Sequence, residues 1–423
     1  MRKLAFAVVA FAAPLAAQEV APLADEEHVV ATPGYAQALP SEPAVQEALD
    51  GHPSVIAAQA RIESAKAQAR ALGIGPHEWI VSGGIDRRDI DLEGRYTEYN
   101  AEVMRAFRLP GKARLDRRQG AYGVIAAENI AEDTRHRAAI LLNSYWWDWL
   151  GAAAQATVDQ QAVTNYARSA SALKRRVELR DAAQLDVDLA EAALAAARTQ
   201  AELSAGRTEL AHTRLAAQFP ALPLAQTPPD LPVPVIPEEG LETLRGLVVS
   251  NSHEIAIAEA EAQRLSSKAD RDRRDRIADP SVGLRVFSEK GGVEQGGGIV
   301  FSMPLGGGHR RALADQSAAE ASAAQSEVQL TRTMVAETAN ADVAEARYRF
   351  AAWQQARASL KAQMTALAKQ RRGHELGEID LNDLLIGERL VHDAFRNETE
   401  ARAEAMRAIT KLRIDSHTLW LGD

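Results

Sequence analysis

The sequence contains no cysteine among its 423 residues. That absence excludes disulfide bonds, thiolate metal sites and a lipid anchor attached through cysteine. Aromatic residues supply only 5% of the chain. Beyond the N-terminal residues, no stretch approaches the roughly 20 consecutive apolar residues that a membrane-spanning helix needs. We therefore expect neither a disulfide scaffold nor a bundle of membrane helices.

Alanine, by contrast, is abundant throughout the chain. It is the strongest helix former, and its small side chain lets helices approach closely while burying little area. Such a composition favours long, thin coiled coils over a thick globular core. The formal net charge of the whole chain is −9, and removal of Arg2 and Lys3 takes it to −11. A nucleic acid partner is therefore not expected.

The N-terminus has the features of a secretory signal peptide. Met1-Arg2-Lys3 precedes an apolar run from Leu4 to Ala17, which is too short to span a bilayer as a helix. We expect cleavage near Ala17 and an exported mature protein without a membrane helix; the alternative is a buried N-terminal helix. Residues 18–40 are rich in Pro, Ala and Glu and are expected to form an extended arm.

The same module then occurs twice. His52-Pro53 opens an Ala-rich helical run, and His253-Glu254 opens another. We divide the chain into a first repeat at 41–218, a Pro-rich linker at 219–240, a second repeat at 241–414 and a tail at 415–423. Only two copies of so long a unit argue against a solenoid.

Each repeat is predicted to contain a helix, a β-hairpin, a very long helix and a returning helix of half that length. In the first repeat these are Ser41–Leu72, strands Trp79–Asp91 and Arg95–Phe107, Lys112–Glu178 and Ala183–Gln218. In the second they are Leu241–Ile277, strands Pro280–Phe287 and Gly296–Met303, Arg310–Glu375 and Ile379–Ile414. The long helix would extend roughly 100 Å at 1.5 Å per residue. The two shorter helices, stacked end to end, would match its length.

The hairpins alternate apolar and polar residues, as half-buried strands do. Four strands cannot close a barrel, and unpaired edges are very costly in lipid. If the strands meet a membrane, three chains would have to pool them into twelve strands. Aromatic residues expected at the membrane interfaces are Trp79, Tyr96, Tyr99, Phe107, Phe287 and Phe301. The alternative is a pair of surface hairpins on a soluble coiled-coil protein.

From about Ser41 onward the sequence resembles the TolC-type outer-membrane efflux family. The resemblance rests on the duplicated pattern, on His52-Pro53, and on the hairpin exits Leu109-Pro110-Gly111-Lys112 and Met303-Pro304-Leu305-Gly306. It rests also on the corner Glu375-Leu376-Gly377-Glu378-Ile379-Asp380 and the residues that follow it.

The resemblance implies a mainly α-helical homotrimer with a twelve-stranded β-barrel in the outer membrane of a Gram-negative bacterium and a helical tunnel in the periplasm. It implies no enzymatic activity and no cofactor. The partners would be outer-membrane lipid, a periplasmic adaptor protein and an inner-membrane RND-type pump. Many relatives carry an acylated N-terminal cysteine; since this chain has none, membrane attachment would rest on the barrel alone.

The cargo is less narrowly indicated. Gly75-Pro76-His77-Glu78-Trp79 and Arg87-Arg88 resemble the heavy-metal branch of the family, the CzcC/CusC-like ducts. A duct for type I protein secretion or drug efflux has the same fold and remains an alternative. A soluble periplasmic scaffold is the alternative from another class.

Charged residues concentrate at the two corners where the long helices end. The candidates for a periplasmic tip or gate are Arg176, Glu178, Arg180, Asp181, Asp186, Arg372, Glu375, Gly377, Glu378, Asp380 and Asp383. In a trimer, carboxylates there would form rings that attract cations, and arginine–carboxylate pairs could hold the aperture shut. The alternative is that these charges are solvated or cap helices. Because the first corner has Arg180 where the second has Gly377, the two corners need not be equivalent.

Two further features are expected to be structural. The run Tyr145-Trp146-Trp147-Asp148-Trp149 predicts a packed aromatic belt within the long helix, wrapped by the chain ends and the linker. The ten histidines are dispersed without the spacing of a metal site, so no metal-binding residues are predicted.

Overall fold

The computed structural model describes residues 38–422. The predicted signal segment, the arm up to residue 37 and Asp423 lie outside that range.

The first repeat contains four helices and a hairpin. They are α1 (Glu42–Asp50), α2 (Pro53–Ile74), β1 (Trp79–Ile90), β2 (Gly94–Ala106), α3 (Lys112–Glu178) and α4 (Gln184–Gln218). The long helix α3 has 67 residues and α4 has 35. The linker that follows has no helix or strand from residue 219 to 240.

The second repeat has the same order of elements. They are α5 (Leu241–Ser250), α6 (His253–Asp275), β3 (Ser281–Glu289), β4 (Glu294–Ser302), α7 (Gly308–Glu375) and α8 (Leu381–Asp415). The long helix α7 has 68 residues and α8 has 35. Long helices and half-length partners therefore occur in both copies, with ends close to those predicted.

The helix that opens each repeat was predicted as continuous, and this prediction is wrong. It is broken after Asp50 in the first copy and after Ser250 in the second. After each break a new helix begins with its own N-cap. His52 Nδ1 accepts from the Ser54 amide at 3.3 Å, and Ser252 Oγ accepts from the Ile255 amide at 3.2 Å. Pro53, in the first helical turn, has no amide hydrogen for a preceding turn, so helix α1 cannot run on.

The helices and the strands are arranged in the same lateral order. Near the sheet, helices contact in the order α2, α3, α6, α7, and the strands pair antiparallel in the order β1, β2, β3, β4. At the opposite end, α4 and α8 replace α2 and α6, and the order becomes α4, α3, α8, α7. The chain is thus a long, thin layer of helices with a four-stranded sheet at one end.

The largest hydrophobic cluster among residues 38–422 contains the predicted aromatic belt in α3. Trp147 is fully buried, and its Nε1 donates to Thr410 Oγ1 of α8 at 2.7 Å. Trp146 Nε1 donates to the Ala38 carbonyl at 3.0 Å. Leu222 and Leu231 of the Pro-rich linker belong to the same cluster, so the linker wraps the belt from outside.

A buried charge cluster ties the two repeats together beside this belt. Lys411 Nζ of α8 donates to Asp342 Oδ1 of α7 at 2.5 Å and to Asp415 Oδ2 at 2.7 Å. His136 of α3 lies 2.8 Å from Asp415 Oδ1. Burial and the neighbouring Asp415 carboxylate outweigh Lys411 and raise the pKa of Asp342 to about 6. Burial opposes ionisation of Asp415 too, but His136 and Lys411 lower its pKa to about 2.

The raised pKa of Asp342 predicts a specific pH dependence of stability. A carboxyl whose pKa is higher in the folded state stabilises the fold below its unfolded pKa, and this contribution is lost as pH rises towards about 6. We expect wild type to lose stability relative to Asp342→Asn as pH increases across that window. The unfolding free energy of wild type minus that of the variant should therefore fall. Urea unfolding at a series of pH values measures it, with the exposed Asp383→Asn as control. A difference independent of pH would contradict the assignment.

Candidate functional site

The four-stranded sheet has two faces of opposite character. Residues paired across the ladder point to the same face, so the register assigns every side chain. Val81, Val103, Leu284 and Ile299 form one row across all four strands. The row beside it on the other face contains Ser82, Glu102, Arg285 and Gly298.

The first face is apolar and exposed. Its large side chains are Trp79, Val81, Ile85, Tyr99, Val103, Val282, Leu284, Val286, Ile299 and Phe301, and all of them are exposed. Val81 is 73% exposed and Ile299 79%. Between Arg105 near the helices and Arg87 near the hairpin tip the face carries no charge. Contiguous exposed apolar surface of this kind marks contact with a membrane or another protein.

The second face is polar and mostly acidic. Its charged residues are Asp86, Arg88, Glu98, Glu102, Arg285, Glu289 and Glu294. Arg88 pairs with Glu98 at 2.5 Å. Five carboxylates against two arginines leave this face with a formal charge of −3 per chain.

Both lateral edges of the sheet are open. β1 and β4 each pair on one side only, so each presents a row of backbone groups without a ladder partner among residues 38–422. Helices α2 and α7 occupy the corresponding edges of the helical layer. Sheet and helices are therefore incomplete on the same two sides.

The predicted interface aromatics are divided between the two faces. Trp79, Tyr99 and Phe301 lie on the apolar face. The Phe107 amide donates to the Pro280 carbonyl at 2.9 Å, so the pairing of β2 with β3 extends to Phe107, which by alternation lies on the same face. Tyr96 and Phe287 have the opposite parity and lie on the polar face. An interfacial role for these aromatic residues stays a prediction, and the register shows that the six do not form one set on one face. Phe287 instead packs over Gly296, which has no Cβ to obstruct the ring.

A buried ion-pair network, missed by sequence reasoning, joins the sheet to the helices. Lys112 is 1% exposed, and its Nζ donates to Asp275 Oδ1, Asp279 Oδ1 and the Ile277 carbonyl, each at 2.7 Å. His77 Nε2 lies 2.8 Å from Asp279 Oδ2. Burial would raise the pKa of Asp279, but Lys112, the Leu109 amide and His77 keep it lowered.

A second carboxylate completes this junction. Asp116 accepts from Arg108 Nη1 at 2.8 Å and from Arg271 Nε at 2.7 Å. Arg108 also donates to the carbonyls of Leu72, Gly73 and Ile74, which satisfies the C-terminus of α2. The only sequence signal was the Leu109-Pro110-Gly111-Lys112 exit, whose lysine has its partners more than 160 residues away.

At the first helix corner, most candidate charges bond within the turn. Arg176 Nε donates to Asp181 Oδ2 at 3.0 Å. Asp186 Oδ2 accepts from the Ala183 amide at 3.2 Å and so caps α4. Arg180 has a left-handed φ of 61°. Glu178 is exposed.

At the second corner the cap is made by a different residue. Asp380 Oδ1 accepts from the Asp383 amide at 2.8 Å, which leaves the Asp383 carboxylate exposed. Arg372 pairs with Glu375 at 2.9 Å, Glu378 is exposed, and Gly377 has φ 77°. Asp186 and Asp383 occupy equivalent positions, but only Asp186 is used as a cap. A gating role for the corner residues stays a prediction.

Arg180 and Gly377 both have a left-handed φ, but only glycine adopts it without strain, so substitutions at the two positions should change the stability of the fold in opposite directions. A side chain in the left-handed region costs roughly 1–2 kcal/mol relative to glycine. We expect Gly377→Ala to destabilise the chain by about 1 kcal/mol, because no atom lies within 4 Å of the added Cβ and only backbone strain remains. Arg180→Gly should stabilise by a similar or smaller amount. Thermal unfolding measures both, and a neutral Gly377→Ala would contradict the strain argument.

Two absences apply to residues 38–422. No helix in this range is long and apolar enough to cross a membrane. No group of three or more His, Asp or Glu side chains in it is arranged to hold a metal ion.

Comparison of the structure with solved structures identifies the fold. The outer-membrane channel OprN superposes with a TM-score of 0.77, covering 90% of both chains at 18% sequence identity. The outer membrane protein VceC of Vibrio cholerae superposes with a TM-score of 0.70, covering 92% of this chain and 96% of its own at 16% identity. This chain has the fold of the TolC-type outer-membrane efflux channels.

Another structure with this fold is CusC, with a TM-score of 0.67 and 14% identity over 95% of this chain and 98% of its own. The TolC-type fold thus accounts for the described chain almost from end to end. No protein-family model and no curated protein sequence matches the chain. The fold was recognisable from the order of elements and the corner motifs, although identity is below 20% throughout.

Proposed function

We propose that three copies of this chain form an exit duct through the outer membrane, with the sheets pooled into a barrel and the helices extending into the periplasm. The observation that carries the proposal is the two-faced sheet with open edges. Its exposed apolar face suits lipid, and its polar face suits a water-filled interior. The named channels of the same fold support this assignment.

Closure follows from hydrogen bonding. In lipid, each unpaired backbone group costs several kcal/mol, so β1 and β4 must find partners. Pairing β4 of one copy with β1 of the next satisfies both edges and brings α7 against the neighbouring α2. Three copies give twelve strands, enough for a water-filled channel. A periplasmic adaptor and an inner-membrane pump would then supply the cargo and the energy.

The charge of the inner face favours cations. With −3 per chain, a trimer would carry −9 on the barrel interior before counting the corners. Fixed negative charge attracts cations and repels anions in narrow pores. Cationic cargo, including heavy-metal ions, is the substrate class this charge supports. Ducts for drugs or secreted proteins share the fold and remain the alternative.

Planar-bilayer recording of the purified full chain tests the duct. We expect a detergent-requiring trimer that inserts and conducts cations in preference to anions. Neutralising Glu102, Glu289 and Glu294 to Gln should lower the cation preference without abolishing conductance, because the apolar face is unchanged. A matched triple change of exposed helical acids, Glu128, Glu132 and Glu202 to Gln, serves as the control. A freely soluble monomer would favour the periplasmic scaffold instead.

The gate residues need a separate test. The Asp383 carboxylate is exposed and has no bonding partner in the described chain, whereas Asp186 caps a helix. We therefore expect Asp383→Lys to reduce the preference for cations more than Asp186→Asn does. Glu202→Lys, an exposed site away from the corner, provides the matched charge change. Unaltered conductance and selectivity in Asp383→Lys would remove this residue from the conduction path.

A further inference from the structure

The helix-proximal rim of the sheet is strongly basic in an acidic protein. Three of the four junctions between strands and helices, residues 105–118, 264–279 and 303–315, carry fourteen Lys and Arg against six Asp, although the whole chain has a net charge of −9. The fourth junction, residues 75–78, adds one carboxylate, Glu78. Charge asymmetry of this kind points to an anionic partner surface.

The six carboxylates are already engaged within the same region. Asp116, Asp275 and Asp279 belong to the Lys112 network. Asp270 pairs with Arg273, Asp272 accepts from Ser317, and Asp315 pairs with Arg276. Exposed Arg114, Arg117 and Arg311 have no carboxylate partner among residues 38–422. The surplus of positive charge is therefore uncompensated.

Among the basic residues of this rim, Arg105 lies within the paired strands, so the register shows on which face of the sheet its side chain lies. It pairs with Trp79 in the β1–β2 ladder and thus lies on the apolar face, in the row nearest the helices. Its guanidinium lies over the Trp79 ring, 5.4 Å from the centroid, and Nε donates to the His77 carbonyl at 3.2 Å. No described carboxylate lies within salt-bridge distance, so both terminal nitrogens remain available to an anion. Phe107, 50% exposed, lies on the same face beside it.

We propose that Arg105, stacked on Trp79 at the helix-proximal edge of the apolar face, binds the phosphate of an anionic phospholipid head group. This rests on the proposed function, in which the apolar face lies in lipid and the helices are periplasmic. That orientation turns the rim towards the inner leaflet of the outer membrane, which consists of phospholipid. The guanidinium offers paired donors that suit phosphate, and Trp79 has the amphipathic character of interfacial aromatics.

The opposite rim provides the internal contrast. Arg87 lies on the same face as Arg105, eight residues after Trp79 along β1. At 3.4 Å per residue, it is about 27 Å from the row that contains Trp79 and Arg105. There Asp89 pairs with Arg95 at 2.8 Å, so the charges are mixed. A specific phospholipid site at Arg105 therefore predicts that substitution at Arg87 has no comparable effect.

Fluorescence quenching by brominated lipid tests the proposal, because Trp79 is the one tryptophan of the six in the sequence that lies within a strand of the sheet. The full chain is reconstituted in vesicles of equal parts phosphatidylcholine and phosphatidylglycerol, with one or the other brominated. The Trp79 signal is the difference between each protein and its Trp79→Phe counterpart. One basic residue near an anionic surface contributes about 1 kcal/mol, so we expect about fivefold preferential quenching by phosphatidylglycerol.

The variants locate the preference. Arg105→Gln should remove it, Arg105→Lys should retain part of it, and Arg87→Gln and the exposed helical Arg207→Gln should leave it intact. The lysine variant also separates loss of charge from misfolding, as does recovery of the assembled protein. Since each value is a ratio of two lipids, a general change in Trp79 fluorescence cancels.

The remaining outcomes are distinct. Equal quenching by both lipids in the wild type would overturn the head-group site while leaving membrane insertion in place. A preference that persists in Arg105→Gln, or that Arg87→Gln also removes, would overturn the assignment to this rim. Absence of quenching by either lipid would overturn the proposed insertion of the sheet, and the head-group site with it.

Discussion

The unpaired edges of the four-stranded sheet are the constraint on which the rest of the structure depends. Within the part of the chain that the structure describes, β1 and β4 each lack a neighbour on one side, and near the sheet α2 and α7 are the outer helices on those same sides. Because strand order and helix order coincide, one rotation between copies can complete both layers together. In lipid, where the proposed function places the sheet, unpaired backbone groups at open edges are not tolerated, so this completion would be necessary.

Within one chain, the corresponding seam between the repeats is held by buried charge. Lys112 of the first repeat lies among carboxylates of the second. Farther along the helices, His136 of the first repeat contacts Asp415 of the second, which is itself held by Lys411. Leaving any member unpaired would cost several kcal/mol, so these clusters set the register between long Ala-rich helices that otherwise slide easily. Helices rich in alanine need such fixed points, because small side chains interlock weakly.

The proportions of the fold were predictable from local signals. The long helix of the first repeat begins at Lys112 and ends at Glu178, as predicted, because Pro-Gly precedes it and a left-handed corner follows it. The breaks before Pro53 and His253 were missed, although the capping residues were visible in the sequence. The candidate site was harder to predict from the sequence. Equal spacing made Asp186 and Asp383 look equivalent, but capping is decided by the residue three positions earlier, Ala183 or Asp380.

By itself the sequence determined the elements: a duplicated unit, two hairpins with alternating faces, and long helices between glycine- and proline-containing turns. These follow from propensity and periodicity, which act over a few residues. Tertiary structure alone decided which side chains of different strands share a face, as the separation of Tyr96 and Phe287 from Trp79 of β1 shows. It also decided the partners of Lys112 and left Arg105 beside Trp79 without a carboxylate. Such pairings join residues distant in sequence, and only the register of strands and helices brings them together.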